Sequence, residues 1–462
     1  MTSNRRSGTT RRRSVMWFRR DLRLHDLPAL HAAAADGAEV LPLFVFDPAF
    51  RAGTARQSAL QQALGGLHRG LDGALVLRSG DPVVEVPRIA AECGADAVYV
   101  TRDHGPYGRR RDASVAAALQ AVGSPLVGVG SNYAVTPGSV TKADGSPYAV
   151  FTPFSRAWGA HGWDEPLAAL ATSDEWLGAG AVESQPFPSG WSAYSDMQVT
   201  EVDALARWES VLGGIAHYAD TRDFPAIDGT SRLSAALRWG TVHPRQLLAD
   251  LTPGDVGHDT FAKELAWREF YADVLFRRPE TAWENLDRRM DAMPVDIDDA
   301  ARRRFQRWAD GTTGYPFVDA GMRQLVGSGW MHNRVRMVVA SFLVKDLHLP
   351  WQRGARHFLR HLADGDLASN NHGWQWCAGT GTDAAPYFRV FNPTAQGLRF
   401  DADGGYVRRW VPELAQVAGL EGAKVHEPGP LRPDDYPPPM VDHADERVEA
   451  LARYRHTMAG TR

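Results

Sequence analysis

The chain has 462 residues, of which 44% are hydrophobic, so it can build two or three domains with sizeable cores. Its 51 Lys and Arg residues against 55 Asp and Glu residues give a formal charge of -4, which excludes a strongly basic protein but not one with a local basic face. Two cysteines exclude a disulfide framework, and no apolar run is long enough to span a membrane.

The N-terminal segment is rich in arginine. Positions 5, 6, 11, 12 and 13 are all Arg, and no apolar signal core follows them. We interpret residues 1–13 as a disordered basic tail, and an arm that touches nucleic acid is the alternative.

Residues 14–131 alternate between short apolar runs and helical patterns. Because this alternation is typical of a parallel sheet covered by helices on both faces, we predict an α/β domain with a five-stranded, Rossmann-like parallel sheet. No G-x-G-x-x-G follows the first strand, so the usual dinucleotide fingerprint is missing. The five predicted strands are Ser14–Phe18, Val40–Phe46, Ala74–Leu77, Ala97–Thr101 and Leu126–Val129.

The rest of the chain has a different pattern. Residues 132–198 are rich in Pro, Gly and Ser and predict a linker between domains that contains short helices. Helical patterns dominate residues 199–462, which we interpret as an all-α domain. The clearest of these patterns are Thr260–Phe276, Asp299–Ala309, Phe317–Val326 and Arg334–Asp346.

The segment from Gly229 to Ser234 precedes a helical run and carries three hydroxyl side chains and one Arg. Backbone N–H groups at a helix start, together with hydroxyls and a guanidinium, can bind phosphate. An ordinary Ser/Thr helix cap explains the same residues. Both interpretations stay open at this point.

A second polar face lies on the helix predicted for residues 260–276. Glu264, Trp267, Arg268 and Tyr271 are spaced i, i+3, i+4 and i+7, so they share one side of that helix. A carboxylate, an indole, a guanidinium and a phenol are poor core material, because each would need a buried partner. The face suits a site that stacks a flat ring and hydrogen-bonds its edge; a solvated amphipathic face is the alternative.

Two further segments repeat this mixture of polar and aromatic residues. Asn333, Arg336 and Met337 fall on one side of a helix, as do Asp366, Asn370 and Trp374 in the segment that follows Asp364. No Cys or His spacing accompanies the carboxylates, so we predict no metal site. Nothing resembles a Ser–His–Asp arrangement or a phosphate-binding Walker loop.

The chain contains seven motifs that resemble those of a known protein family and follow one another in the same order. The chain resembles the photolyase/cryptochrome family over nearly its whole length, and most of all its bacterial class I cyclobutane pyrimidine dimer photolyases. The motifs are WFRRDLRLHD from Trp17, RDFPAIDGTSRLS from Arg222, ELAWREFY from Glu264, TGYPFVDAGMRQL from Thr313, GWMHNRVRM from Gly329, DGDLASNNHGWQW from Asp364 and GTDAAPYFRVFNP from Gly381.

The resemblance implies an enzyme that repairs DNA with light. A helical domain would bind FAD, and the photoexcited, reduced flavin would donate an electron to a flipped pyrimidine dimer. The α/β domain at 14–131 would carry an antenna pigment. We therefore expect damaged DNA as the partner of a monomeric, cytoplasmic, nucleoid-associated protein that binds no membrane.

The resemblance also assigns roles to individual residues. Asp364 and Asp366 would hold the isoalloxazine and the sugar, Arg336 would pair with Asp364, and Asn370 would face the central-ring nitrogen. The other FAD contacts would be Tyr218, Thr230, Ser231, Arg232, Leu233, Ser234, Arg268 and Tyr271. The dimer pocket would contain Glu264, Trp267, Asn333, Met337 and Trp376. Arg222 and Arg334 would contact DNA phosphates, and Trp374 and Trp351 would relay electrons.

Two other branches of the family are alternatives. Six-four photolyases carry paired histidines near the lesion, whereas here Asn333 follows His332 and Met337 stands in the pocket. Plant-type cryptochromes, which signal and do not repair, place Asp opposite the flavin nitrogen, where this chain has Asn370. Both comparisons favour repair of cyclobutane dimers.

The chain departs from the family pattern at the electron relay. The segment Met293–Asp298 stands where the family has a distal Trp, so Trp283 or Trp308 substitutes for it, or the relay ends early. His372 also replaces the usual Gly.

The antenna is the other position where the branches of the family differ. Tyr107 and Gly108 replace the Asn–Glu pair of folate-using relatives, and the segment 103–112 resembles the deazaflavin-using branch. We expect 8-hydroxy-5-deazaflavin or an empty antenna site in preference to methenyltetrahydrofolate.

Overall fold

The computed structural model describes residues 11–50, 53–170, 176–177, 180–187, 194, 197–383 and 389–460. Most of the predicted basic tail, residues 1–10, and part of the last motif, residues 384–388, lie outside this description. The tail was predicted one residue too long, because Arg13 pairs with Glu39 in the first strand of the sheet. The N-terminal sheet has five parallel strands in the order β3-β2-β1-β4-β5. They are β1 Arg13–Phe18, β2 Glu39–Phe46, β3 Val76–Ser79, β4 Ala97–Arg102 and β5 Leu126–Ser131.

The central strand explains why this sheet forms. Successive side chains of a strand point to opposite faces, and β1 is apolar at every position from Val15 to Phe18. Val15 and Trp17 lie in one buried cluster, and Met16 and Phe18 lie in another on the opposite face. A strand buried on both faces needs helices on both sides, so the predicted doubly covered parallel sheet is confirmed.

Helices cover the sheet and continue into the connecting segment. They are α1 Pro28–Ala33, α2 Thr54–Gly70, α3 Pro82–Cys93, α4 Pro106–Gln120 and α5 Phe151–His161. Helix α1 was not predicted, because six residues are too few to show a period. The predicted linker packs against the sheet at Trp176, which bridges Val40 in parallel, and the Leu177 N–H donates to the Val40 carbonyl at 2.8 Å.

The C-terminal part is helical, as predicted, and no membrane span occurs among the helices that the structure describes. Its helices are α6 Glu201–Leu212, α7 Tyr218–Thr221, α8 Ser234–Trp239, α9 Pro244–Ala249, α10 Val256–Arg277, α11 Asp299–Ala309, α12 Pro316–Ser328, α13 Asn333–Ser341, α14 Trp351–His361, α15 Leu367–Ala378, α16 Pro393–Phe400, α17 Gly405–Trp410, α18 Pro412–Ala415 and α19 His443–Gly460.

Three of these helices position the site. The longest, α10, is started by Asp255, whose carboxylate accepts from the Gly257 and His258 N–H groups. Helix α15 packs against both α10 and α13, so the polar faces of all three helices meet. The helix expected at Arg334–Asp346 is two elements, because α13 ends at Ser341 and a π-helical turn covers Phe342–Asp346.

Candidate active site

The polar faces predicted on α10, α13 and α15 enclose one cavity. Its volume is about 480 Å³, and the loop at residues 230–234 closes one side of it. Of the predicted site residues, Trp351 does not line it. Those that do are Tyr218, Arg222, Thr230, Ser231, Arg232, Leu233, Ser234, Glu264, Trp267, Arg268, Tyr271, Asn333, Arg334, Arg336, Met337, Asp364, Asp366, Asn370, Trp374 and Trp376.

The loop at 230–234 is held by ion pairs. Arg207 donates to both carboxylate oxygens of Asp228, at 2.9 and 3.0 Å, and Arg232 Nε donates to the same carboxylate at 2.8 Å. Arg232 adopts a left-handed backbone with φ of 54°, which is uncommon for a residue with a side chain. No hydroxyl caps α8 at its N-cap position, which is Leu233, although the Leu233 N–H donates to the Ser231 hydroxyl at 3.4 Å just before the helix.

The length of helix α8 also corrects the prediction that backbone N–H groups at a helix start bind phosphate here. This helix spans only Ser234–Trp239, so its macrodipole is too weak to account for phosphate binding. Any binding of an anion here would depend on the hydroxyl groups and on the Arg232 guanidinium.

Asp364 is the most buried of the four carboxylates that line the cavity. Its side chain is 3% exposed, and Arg336 Nη2 donates to Oδ2 at 2.8 Å. The Arg336 Nε–H is used elsewhere, donating to the Met331 carbonyl at 2.8 Å. The second carboxylate oxygen, Oδ1, is buried and accepts from no group in the described part of the chain. Because a buried carboxylate oxygen without a hydrogen bond is unfavourable, we expect a ligand to donate a hydrogen bond to this atom.

Asp366 connects the two halves of the molecule. Arg20, from the loop after β1, donates to its Oδ2 at 2.6 Å, and the Ser369 N–H at the start of α15 donates to its Oδ1 at 3.1 Å. Burial alone would raise the pKa of Asp366, but the guanidinium groups of Arg20, Arg238 and Arg268 hold it well below its usual value. Asp366 is therefore an anion with partners in the protein itself.

Asn370 lies four residues further along the same face of α15. Its amide nitrogen donates to the Ala355 carbonyl at 3.1 Å and to the Asn371 side-chain oxygen at 2.8 Å. Because the amide nitrogen is used in this way, the amide oxygen is the atom that Asn370 can offer to a ligand in the cavity.

The opposite wall of the cavity is aromatic and ionic. The Trp267 indole lies 5.4 Å from the Tyr271 ring, centroid to centroid. Arg222 Nη1 donates to Glu264 Oε1 at 2.5 Å, and Arg334 Nη2 donates to Asp223 Oδ2 at 2.7 Å. Both arginines predicted to contact DNA are thus paired with carboxylates in this structure.

Comparison with known proteins identifies the family. The family model described as DNA photolyase matches residues 14–171, and the model described as FAD binding domain of DNA photolyase matches residues 261–456. The deoxyribodipyrimidine photo-lyase of Streptomyces griseus is 42% identical, covering 94% of this chain and 97% of the relative. The chain belongs to the photolyase family.

Other relatives agree with that assignment. The photolyase-family enzyme of Escherichia coli named deoxyribodipyrimidine photo-lyase is 39% identical and covers 96% of this chain. The crystal structure of a bacterial class III photolyase from Agrobacterium tumefaciens is 35% identical, with a TM-score of 0.87, and covers 99% of this chain. A Synechocystis cryptochrome has a TM-score of 0.86 at 27% identity over 96% of this chain.

Sequence reasoning missed several residues of this photolyase-family cavity. Arg238 is the most notable, because burial, reinforced by the neighbouring charge of Arg20, lowers its pKa to about 9. Its Nη1 is buried and donates to nothing that the structure describes. The spacing of four between Ser234 and Arg238 on α8 was a signal that could have found it. Arg20 lies inside a motif that was recognised but given no role.

The remaining sequence predictions concern tryptophans and His372. Trp351 is 4% exposed, and its Nε1 donates to Asn285 Oδ1 at 2.9 Å. Trp308 is fully buried, whereas Trp283 is 36% exposed. His372 fills the space behind Tyr271, where its ring stacks at 5.7 Å, and burial lowers its pKa to about 4.

Proposed function

We propose that this cavity binds FAD next to a flipped cyclobutane pyrimidine dimer. As a photolyase-family chain with an FAD-binding domain, the protein is a deoxyribodipyrimidine photo-lyase, a carbon–carbon lyase that repairs DNA in light. The single observation that carries the ligand proposal is the pair of buried atoms without partners among the described residues, Asp364 Oδ1 and Arg238 Nη1, in one cavity.

The donors and acceptors of the cavity fit FAD. Asp364 Oδ1 would accept from the imide N–H of the isoalloxazine, and Asn370 would present its amide oxygen to the central ring. The hydroxyl groups of Thr230, Ser231 and Ser234, with the guanidinium of Arg232 and the phenol of Tyr218, would contact the diphosphate and ribityl chain. When bound, FAD supplies light-driven electron donation to the dimer.

The residues of the chain then bind and orient the lesion. A dimer inside the duplex is out of reach, so it must be extruded, which costs a few kcal/mol and less for a distorted base pair. Stacking on Trp267 and Trp376 would return about 1–3 kcal/mol per base. Glu264 and Asn333 would hydrogen-bond the pyrimidine edges, and Met337 would fill the apolar side of the pocket.

DNA binding would require the ion pairs at the cavity mouth to exchange partners. Arg222 and Arg334 would turn from Glu264 and Asp223 toward the phosphates that flank the flipped dimer. Release of Arg222 would free Glu264 to accept a hydrogen bond from the pyrimidine edge.

An electron relay would run around helix α14. The Trp374 indole packs on α14 at Gly354, where an added Cβ would lie 2.1 Å from the indole. Trp351 is three residues earlier on the same helix. Trp283 lies beyond it, since Gln352 donates to the Trp283 carbonyl at 3.2 Å and Arg356 lies 4.7 Å over the Trp283 ring. We propose Trp283 as the surface end of the relay.

Trp308 is the alternative end of the relay. Its ring is 6.1 Å from Trp374, but it is fully buried, and its Nε1 donates to the Val339 carbonyl at 3.0 Å. A terminal donor must be restored by an external reductant such as a small thiol, which favours the exposed Trp283.

A repair assay tests the activity. Duplex DNA with one thymine cyclobutane dimer is incubated with the FAD-loaded protein in blue light and in the dark, and the restored thymines are counted. We expect repair in light only, with no repair of six-four photoproduct DNA. Repair of the six-four lesion alone would establish the six-four alternative, and FAD binding without repair of either lesion would refute the repair proposal and leave the cryptochrome alternative.

A cluster of aromatic and cationic side chains between the sheet and the cavity favours a second ligand. Phe50 and Trp239 meet edge to face at 5.7 Å, and Arg56 and Arg238 lie over the Phe50 ring at 5.6 and 6.0 Å. Arg56 Nε and Trp239 Nε1 are buried donors with no acceptor within the described ranges. Flat aromatic walls, two cations and open donors suit a planar anion, so 8-hydroxy-5-deazaflavin is the antenna pigment we propose.

Folate fits this protein less well. The Tyr107 hydroxyl donates to Asp47, so the position that would face a pterin ring is a phenol bound to a carboxylate. The solved structure of a Sulfolobus tokodaii photolyase, 27% identical with a TM-score of 0.85, is described as having two FAD molecules, with the implication of a novel light-harvesting cofactor. A second FAD is therefore included as a test ligand.

Reconstitution with each pigment tests the antenna proposal. We expect the deazaflavin to bind and to transfer energy to FAD, and Arg56→Gln to lower its affinity. The matched control is Arg69→Gln, an exposed cation on the same helix α2. Transfer from methenyltetrahydrofolate or from a second FAD, with none from the deazaflavin, would show that the pigment is misassigned.

The organisation of the chain completes the proposal. We propose an antenna domain at residues 14–131, a linker at 132–198 and a catalytic domain at 199–462. The protein would act as a cytoplasmic monomer associated with the nucleoid.

A further inference from the structure

The indole of Trp267 is covered on one face by a residue from outside the helical domain. Phe151 stacks on it with ring centroids 3.6 Å apart and ring planes inclined by 7°. Phe151 is the first residue of α5, within the segment that the sequence predicted as a linker. Two parallel rings in contact leave the indole of Trp267 one open face.

Phe151 is itself held from several sides. Its ring meets Phe270 of α10 edge to face at 6.0 Å, and it is 8% exposed. The backbone just before it is fixed, because the Asp383 N–H donates to the Ala149 carbonyl at 3.3 Å. The Phe151 ring is therefore a buried support and not a surface group.

We infer that Phe151 is a positioning residue that holds the Trp267 indole in the orientation that stacks on the flipped dimer. This inference rests on the proposed function, in which Trp267 contacts the lesion. An indole on a helix face has several rotamers, and binding that must select one of them loses affinity. A parallel ring behind the indole makes that selection before the lesion arrives.

The chain offers a matched control on the same helix. Phe154 lies three residues after Phe151 and is 1% exposed, and its ring packs on Phe270 at 5.0 Å. No ring contact joins it to Trp267 among the described residues. Phe154→Leu therefore removes at least as much buried packing as Phe151→Leu without touching the Trp267 stack.

The experiment measures Kd of the FAD-loaded protein for dimer-containing and undamaged DNA, with thermal unfolding in parallel. We expect Phe151→Leu to weaken binding of dimer DNA about 3- to 10-fold, because one side chain must then be ordered on binding. Binding of undamaged DNA should stay unchanged, and Phe154→Leu should change neither affinity. Phe151→Met, which keeps the volume of the side chain but has no ring, replaces Phe151→Leu if the latter does not fold.

A double-mutant cycle decides between positioning and mere packing. In a Trp267→Ala background, the loss caused by Phe151→Leu should vanish, because no indole remains to be oriented. An additive loss in that background, an equal loss on both DNAs, or no loss on dimer DNA would overturn the inference. If Trp267→Ala itself leaves dimer binding unchanged, the proposed role of Trp267 fails instead.

Discussion

Asp364→Asn tests the flavin site at its most buried carboxylate. The carboxylate serves two donors, Arg336 at Oδ2 and, on the proposed function, the flavin imide at Oδ1. Asparagine has one acceptor oxygen, so one donor must face an NH2 group. A hydrogen bond to a charged group contributes about 1.5–3 kcal/mol, so FAD affinity should fall about 10- to 150-fold.

The assay is titration of the FAD-free protein with FAD, followed by quenching of flavin fluorescence. The variant should remain folded, because Arg336 keeps its bond to the Met331 carbonyl and its side chain is 26% exposed. The control is Asp296→Asn, which removes an equal charge paired with Arg304 and Arg453, none of which lines the cavity. An unchanged Kd for FAD in Asp364→Asn would refute the argument from the open acceptor.

Three other predictions follow from the structure. Trp267→Ala should weaken dimer DNA binding about 5- to 150-fold, the equivalent of one stacked base, with little change on undamaged DNA; equal losses would place Trp267 outside the lesion pocket. Trp374→Phe and Trp283→Phe should slow photoreduction of oxidised flavin, seen by absorption, while the pre-reduced variants still repair; slowing by Trp308→Phe and not by Trp283→Phe would reassign the relay end. Burial lowers the pKa of His357 to about 3. The free energy of unfolding should therefore fall by up to about 1.4 kcal/mol per pH unit as the pH drops from about 6.5. The His357→Phe variant should show a flatter pH dependence of this free energy when it is measured by urea unfolding.

The sign of the pH effect follows from where the proton binds. A histidine whose folded pKa lies below its unfolded value takes up a proton more readily when the chain unfolds. Stability is then fully present above pH 6.5 and is lost as pH falls toward the folded pKa. His332 and His372, whose pKa values burial lowers to about 4, should act in the same direction as His357.

The sequence predicted most of the fold because the spacing of its hydrophobic residues is clear. The run from Val15 to Phe18 is apolar at every position, as a strand covered on both faces requires, and Asp299–Ala309 matched the observed helix at both ends. The six residues of α1 show no full period, and the π-helical turn at Phe342–Asp346 continues a helical pattern with different hydrogen bonds. Neither could be read from hydrophobic spacing.

The site was predictable where its residues share one helix. Glu264, Trp267 and Tyr271 are brought together by the period of α10 alone. Contacts between distant segments were not predictable, because no spacing rule links Arg20 to Asp366 or Phe151 to Trp267. The packing of the connecting segment against α10 creates the second of these contacts, and composition had indicated only a linker there.

The arrangement of charge explains how a chain with a net charge of -4 can act on DNA. At the cavity mouth Arg222, Arg334 and Arg232 are each paired with a carboxylate, so none of the three offers an uncompensated cation to an intact duplex. Sequence-independent affinity comes from phosphate contacts, to which these three paired arginines would add little. A flipped dimer, in contrast, would meet an aromatic face at Trp267 and open polar atoms inside the cavity. Selection of damaged DNA would therefore depend on the shape and chemistry of the cavity and not on a basic field around it.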